Sequence, residues 1–321
     1  MRITVGTFNL NNLFSRWNFK GKITKDDYKL KSTVEYNFTD SENYKIRTYK
    51  GKLVEEKPEK DRGLITKRIE EMDIDTLAVQ EVEDIDTLKS FNRESLNNLY
   101  PYQVLVEGND PRLIDIGLLS KYPIGAVISW QKATHPSKPE DPIFSRDLLE
   151  VEIMNKERSQ ILFTLFNNHL KSNYIPWDAK DKEREAQEAN EQRKRQAETI
   201  ARIIKAKIGA GGSFIVLGDM NDTEKSEWIE PFTKDPELKL TNALMNAEET
   251  RPAKSDDPPP STNVWTHRYK PTGKSAEYLL YDQIWLSQSL ADKLQEAKID
   301  RRTKHSGDGS DHDPAWITLE I

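Results

Sequence analysis

Apolar residues along the chain fall into short runs bounded by polar or glycine positions: "RITVGTFNL", "DTLAVQEV", "YQVLVEG", "DIGLLSK", "LLEVEI", "QILFTLFNNHL", "SFIVLGDM", "YDQIWLS" and "AWITLEI". Several are continuous rather than alternating, the pattern of strands covered on both faces. Between them the period becomes helical. Residues 62–72 set Leu64, Ile65, Ile69 and Met72 on one face, and residues 85–99 repeat Ile85, Leu88, Leu96 and Leu99. The charged segment 180–207 turns Ala189, Ala197, Ile200 and Ile203 toward a core. Strands and helices alternate with no break in composition and no internal repeat, which predicts packed α/β layers in one domain spanning residues 1–321.

Two segments break this rhythm. Residues 17–61 hold few large aliphatics, and Tyr28, Tyr36, Phe38, Tyr44 and Tyr49 stand among many lysines. From 20 to 62 there are twelve Lys and Arg against nine Asp and Glu, a local excess of three positive charges in a chain whose net charge is −6. The plain reading is a solvated, hairpin-containing insertion; the sharper one is a substrate-facing arm whose lysines meet phosphates and whose tyrosines stack on bases. The second segment, "RPAKSDDPPPSTN", is a proline-stiffened loop without evident chemistry.

Composition narrows the chemistry. With no cysteine there is no disulfide, thiol nucleophile or thiolate-bound zinc. A metal would therefore sit on oxygen and imidazole ligands, which favours Mg²⁺, Mn²⁺ or Ca²⁺. The acidic balance argues against a globally basic nucleic-acid binder but leaves room for a local basic face. No apolar run is long enough to span a bilayer, and the first residues lead straight into a strand without a secretory pattern, so the expected location is cytoplasmic, with no membrane partner.

The polar residues at the ends of the runs carry the functional signal. Asn9 follows "TVGTF", Glu81 follows "LAVQ", His169 follows "LFNN", Asp219 and Asn221 follow "IVLG", Asp282 precedes "QIWLS", and Asp311 and His312 precede "AWITL". Singly, each has an ordinary explanation: a helix cap, a surface acid, a satisfied histidine. Together they put eight chemistry-bearing groups at strand ends, where layered α/β folds build ligand sites.

The motifs "FNLNNLF", "VQEVED", "NNHLKS", "VLGDMND", "YDQIWLS" and "GSDHDP", in this order and over nearly the whole chain, resemble the endonuclease/exonuclease/phosphatase superfamily, which includes DNase I. "FSRDLLEV" resembles the segment that brings an arginine to the phosphate, implicating Arg146, and "YQVLVEG" falls where such enzymes pair a glutamate with the first catalytic histidine, implicating Glu107 with His169. The resemblance implies a four-layer α/β/β/α sandwich, two mixed β-sheets face to face with helices outside. It implies Glu81 as a Mg²⁺ ligand, with Asn9 and Asp311 near the same ion. His312 is then the general base for water, Asp282 the partner of its other nitrogen, and Asp219 the group that orients the water. Asn221, His169 and Arg146 are donors to phosphate. Ser310 is expected to make a backbone or phosphate bond, Pro314 to set the strand entry, and Asp313 to be structural.

The remaining histidines, His135, His267 and His305, are read as non-catalytic, and Trp177 and the charges of 182–195 as a solvated helix face. Two departures stand out: Gln283 occupies a position where the family often has an aromatic residue or histidine, and no tyrosine matches the one that abasic-site endonucleases place near the phosphate. Abasic-site specificity is therefore not implied. The expected activity is metal-dependent hydrolysis of phosphodiesters in DNA or RNA. The alternatives are a same-fold phosphoesterase on lipid head groups or inositol phosphates and, last, a non-catalytic binding scaffold.

Overall fold

The computed structural model describes residues 1–15, 56–175, 179–209, 211–250, 264–270, 273–301 and 308–321. Most of the lysine-rich insertion, the proline-rich loop, Trp177 and His305 lie outside these residues. In chain order the elements begin with β1 (Arg2–Leu13), α1 (Glu59–Met72), β2 (Thr76–Val82), α2 (Ile85–Glu94), β3 (Tyr102–Leu105), β4 (Asp115–Ser120) and β5 (Ile124–Ser129). There follow β6 (Thr134–His135), β7 (Lys138–Pro142), β8 (Leu148–Met154), β9 (Ile161–His169), α3 (Lys182–Lys207) and β10 (Phe214–Asp219). The chain continues with α4 (Glu230–Thr233), β11 (Thr241–Asn242), β12 (Glu248–Glu249), β13 (His267–Tyr269) and β14 (Glu277–Leu279). It ends with β15 (Asp282–Leu286), α5 (Gln288–Ala291), β16 (Leu294–Ile299) and β17 (Ala315–Glu320).

Two mixed sheets result. One runs β12-β16-β17-β1-β2-β4-β3 and the other β11-β15-β10-β9-β8-β5. Each has a central parallel pair, β1 with β2 and β9 with β10, flanked by antiparallel strands. A parallel pair needs a crossover: α1 lies on the chain between β1 and β2, and α3 between β9 and β10. The sheets bury Ile3, Val5, Leu165, Leu217, Ile284 and Ile317, among others, against each other. Phe8, Leu77 and Val79 face Ile65 and Ile69 of α1 and Leu88 and Phe91 of α2. Phe166, Phe214 and Val216 face Ile200 and Ile204 of α3. The expected four-layer α/β/β/α sandwich is therefore what the chain forms. Each fully buried aliphatic or aromatic side chain of these layers contributes roughly 1.5–3 kcal/mol.

Local chemistry sets the helix ends. Asp84 caps α2 by accepting from the Thr87 amide at 2.7 Å, and Asp181 caps α3 by accepting from the Arg184 amide at 3.0 Å. The helix expected over 85–99 stops at Glu94, because Asn97 and Asn98 take left-handed backbone (φ 51° and 57°); Leu96 still reaches the core through the turn. Strands β5 and β16 have no counterpart among the apolar runs of the sequence. Their exposed residues dilute the apolar signal, and the former follows a proline.

Side chains alternate across a strand, so the inter-sheet row can be followed toward one end of the sandwich. In β1 it runs Ile3, Val5, Thr7, Asn9; in β9, Phe163, Leu165, Asn167, His169; in β10, Ile215, Leu217, Asp219; and in β15, read backward, Leu286, Ile284, Asp282. Apolar residues thus give way to polar ones on four tracks. The first polar tier is buried and satisfied: Gln80 Nε2 donates to Thr7 Oγ1 at 3.1 Å and to Asn167 Oδ1 at 2.8 Å, and Asn167 Nδ2 donates to the Val79 and Gly117 carbonyls at 3.2 and 2.8 Å. It joins the two sheets beneath the functional tier.

Among the described residues no helix is long and apolar enough to cross a membrane.

Candidate active site

Strand register assembles the next tier. Asp219 at the end of β10 is paired in register with His169 at the end of parallel β9 and with Asp282 at the start of antiparallel β15. Gly218, one residue earlier, has φ +131° and stands so close to β9 that a Cβ would lie 2.0 Å from the Asn168 carbonyl oxygen. Only glycine fits the motif there. Across the sandwich, β17 runs antiparallel to β1, which brings the loop before it to the end of β1: Ser310 Oγ donates to the Asn9 carbonyl at 2.7 Å and accepts from the His312 amide at 3.0 Å. Asp313 is buried in ion pairs with Arg68 at 3.2 Å and Arg301 at 3.5 Å, anchoring the same loop.

The centre is an acid–imidazole–acid arrangement. His312 Nδ1 and Asp282 Oδ2 are 2.6 Å apart, and His312 Nε2 lies 3.8 Å from Asp219 Oδ2. Asp219 Oδ1 accepts from the Asn221 amide at 2.8 Å, and its Oδ2 accepts from Asn9 Nδ2 at 3.0 Å. Burial works against a charged His312 ring, but Asp282 and then Asp219 overcome it and raise its pKa to about 10. Burial and the neighbouring Asp282 push Asp219 up to about 7, against the pull of His312. His169, with Nε2 3.4 Å from Asp219, is held well below the usual histidine range by burial and by Arg146, so it is neutral.

Glu81 enters from a disruption in the β1–β2 pairing. The register jumps between Asn9/Gln80 and Leu13/Val82, and Asn11, Asn12 and Glu81 all take positive φ (47°, 59° and 61°). Asparagine tolerates this backbone; glutamate does so at a cost of about 1–2 kcal/mol. Strain of this kind concentrates at functional sites. The Asn12 amide donates to Glu81 Oε2 at 3.0 Å, and the half-buried carboxyl is pushed up by burial and by the facing Asp311. Asn9, which donates to Asp219, is also near enough to Glu81 to favour its charged form.

Oxygen and imidazole donors thus converge where Glu81 and Asp311 stand near enough to repel as like charges. That donor set fits a hard divalent cation. His267, Asp311 and His312 also place ligand atoms within 4.8 Å of one another, as do Asp219, Asp282 and His312.

The structure therefore brings together Asn9, Glu81, His169, Asp219, Asn221, Asp282, Asp311 and His312. Two expected residues stand differently. Glu107 is exposed, while His169 Nδ1 is buried without a hydrogen-bond partner, so the expected pair is not formed; the chain turns outward after β3. Arg146 is buried behind the site, where it donates to the Leu170 carbonyl at 3.1 Å and pairs with Asp110 at 3.2 Å; it is still near enough to favour the charged forms of Glu81 and Asp219.

Other residues at the site were not singled out by the sequence. His267, read as non-catalytic, bridges His312 through the backbone. Its ring lies 4.7 Å from that of His312 and stacks on Tyr281 at 5.2 Å, with an 11° interplanar angle. Lys57 Nζ donates to the Asn11 carbonyl at 2.6 Å, near enough to feel Asp311 and Glu81. Arg193, within the helix face expected to be solvated, is fully buried; it holds Asp222 at 2.9 Å, the Lys171 carbonyl at 2.6 Å and Asn173 Oδ1 at 2.6 Å. The even charge density along 182–195 conceals it, whereas the short strand run "THRY" a little before "YDQIW" is the one signal that could have pointed to His267.

Comparison with known proteins agrees with the fold. The family model described as the endonuclease/exonuclease/phosphatase family matches residues 6–312. A search of curated proteins found no match by sequence. Among solved structures, an endonuclease/exonuclease/phosphatase from Bacteroides vulgatus superposes with TM-score 0.60 at 15% identity, covering 100% of this chain and 99% of that one. An AP endonuclease from Archaeoglobus fulgidus gives 0.59 at 15% identity, covering 99% and 100%. A mannosyl-6-phosphatase from Bacteroides thetaiotaomicron gives 0.53 at 14% identity, also covering 99% and 100%. At such identities the structures show a shared fold, and they span different substrates. The family-model match covers nearly the whole chain, and the chain belongs to the endonuclease/exonuclease/phosphatase family of phosphoester hydrolases.

Proposed function

We propose that the protein is a divalent-metal-dependent phosphodiesterase acting on nucleic acid, DNA or RNA. The observation that carries this reading is the row Asp282–His312–Asp219, held from both ends by hydrogen bonds and facing Glu81 across Asn9. A gap of 3.8 Å between His312 Nε2 and Asp219 Oδ2 is too long for a hydrogen bond and short enough for one water oxygen to touch both, at about 2.8 Å each. The attacking water belongs there. His312 accepts its proton at Nε2, Asp282 fixes the ring through Nδ1, and Asp219 orients the water, itself held by Asn9 and the Asn221 amide. Arg146 contributes a positive field from behind the wall of the pocket, and the neutral His169 contributes hydrogen bonding.

In the protein alone, the two acids hold the proton on His312, and a base must be free of it. Mg²⁺ or Mn²⁺ on Glu81, with Asn9 and Asp311 beside it, would supply positive charge that releases this proton and neutralises a phosphate oxygen.

The test is a substrate panel of supercoiled plasmid, single-stranded DNA, RNA, an inositol phosphate, sphingomyelin vesicles and a sugar phosphate. Metal-dependent cleavage of a nucleic acid is the expected result. Turnover confined to the lipid, the inositol phosphate or the sugar phosphate would reassign the substrate while keeping the chemistry.

A further inference from the structure

Beside the catalytic tier lies a groove of about 650 Å³ whose lining includes Arg112, Lys171, Tyr174, Pro111, Pro142 and Phe144. Its inner end reaches the site already described: Lys171 follows His169 by two residues, and Arg112 is close enough to Glu81 and His169 for each to feel its charge. Arg112 is 60% exposed, yet its guanidinium plane is fixed by Asp110 through Nε at 3.1 Å and Nη2 at 2.9 Å. Asp110 also pairs with Arg146, so one carboxylate orients two arginines. Lys171 is crowded by both, and with burial they hold its ammonium below the usual lysine range. Arg112 and Lys171, with the buried Arg146 behind them, thus gather around Asp110, with Asp141 as the groove's other acid; a guanidinium fixed in this way suits an incoming phosphate. Tyr174, at the outer part of the groove, leaves 68% of its surface in solvent. An exposed aromatic ring next to fixed cations suits an unpaired base whose phosphate those cations hold.

The groove is short. Lys171, Tyr174 and Gln192 also line an adjoining cavity of about 540 Å³, where Glu185, Glu188 and Glu191 project from α3. Lys138 and Arg195 share that lining, so against the three glutamates it offers a longer run of phosphates no excess of positive charge.

We infer that this groove is a subsite for one nucleotide adjoining the scissile phosphate, with Tyr174 stacking on its base and Arg112 and Lys171 holding its phosphate. The inference rests on the nuclease reading and narrows it to unpaired strands.

The experiment uses a short single-stranded oligonucleotide and two copies lacking the base on one or the other side of the cleaved linkage. Tyr174→Ala should lower kcat/KM on the intact strand about tenfold, mainly through KM, and Tyr174→Phe should restore it. Deleting the base on one side should cost the parent enzyme a similar factor and cost Tyr174→Ala nothing further. Replacing Arg112 and Lys171 by Gln should flatten the dependence of log affinity on log salt by about 0.7 for each phosphate no longer neutralised. Independent, multiplying losses from base deletion and Tyr174→Ala, or an unchanged KM in Tyr174→Ala, would overturn the subsite while leaving the nuclease reading intact. A parent enzyme that cleaves no nucleic acid would remove both.

Discussion

Asp282→Asn removes one charge from the active site and almost no volume. Asp282 is fully buried and His312 nearly so, and their 2.6 Å contact is a charge-assisted hydrogen bond. Such bonds contribute about 1.5–3 kcal/mol, which corresponds to roughly 1–2 pKa units on the imidazole. His312, raised to about 10 in the parent, should therefore titrate at about 8–9 in the variant, with burial opposing and Asp219 still supporting the protonated ring. The sign for stability follows. An unfolded histidine titrates near 6.5, below the folded value, so the contribution is fully present below about pH 6.5. It is lost as pH rises toward 10 in the parent, and toward about 8–9 in the variant. Below pH 6.5 the variant should be less stable by the same 1.5–3 kcal/mol. Proton and nitrogen NMR of the ring in EDTA, assigned against His312→Gln, gives the titration, and urea unfolding from pH 6 to 10 gives the stability. A parent His312 that titrates below 7, or one that titrates identically in Asp282→Asn, would refute the reasoning.

Other residues give sharp expectations. Glu81→Gln should weaken Mn²⁺ binding, read by electron paramagnetic resonance, by at least about tenfold, since affinity for hard cations follows the charge of the ligand set. The same change should raise the melting temperature of the metal-free protein at pH 7, because burial and Asp311 disfavour the ionised Glu81 carboxyl in the fold. Arg193→Met leaves Asp222 without its partner and frees the Lys171 and Asn173 loop; urea unfolding should show a loss of about 3–5 kcal/mol. A loss under about 1 kcal/mol would show that the loops hold without it. Gly218→Ala forces a Cβ against the Asn168 carbonyl at positive φ and should cost at least about 2 kcal/mol; stability within about 0.5 kcal/mol of the parent would contradict the strand register at the site.

The layers were legible because their signal is local. Continuous apolar runs such as "SFIVLGDM" and "AWITLEI" mark central strands on their own, and the polar residue at the end of each run marks the tier where the sandwich opens. Ser310 and Asp313 stand as expected, one on the Asn9 backbone and the other in buried ion pairs. What escaped depends on pairing between distant segments. Glu107 and Asp110 are three residues apart in one acidic stretch, and nothing in that stretch says that Asp110 turns inward to two arginines while Glu107 turns out. Arg193 reads as one charge among many in "NEQRKRQ", although its position on the inner face of α3 makes it the anchor of two loops. His267 lies 45 residues before His312, and only the closing of the β13–β14 hairpin onto the final loop brings the rings together.

The central claim is that Glu81, Asp219 and His312 form one metal-assisted hydrolytic site. It is tested most directly by the rate of single-strand cleavage in Mg²⁺, Mn²⁺ and EDTA for the parent, His312→Ala and Asp219→Ala, each first shown to be folded. Cleavage with either metal, none in EDTA, and losses of about 10²–10⁴ in both variants are the expected result. Cleavage by the parent in EDTA, or parent-like rates in either variant, would contradict it.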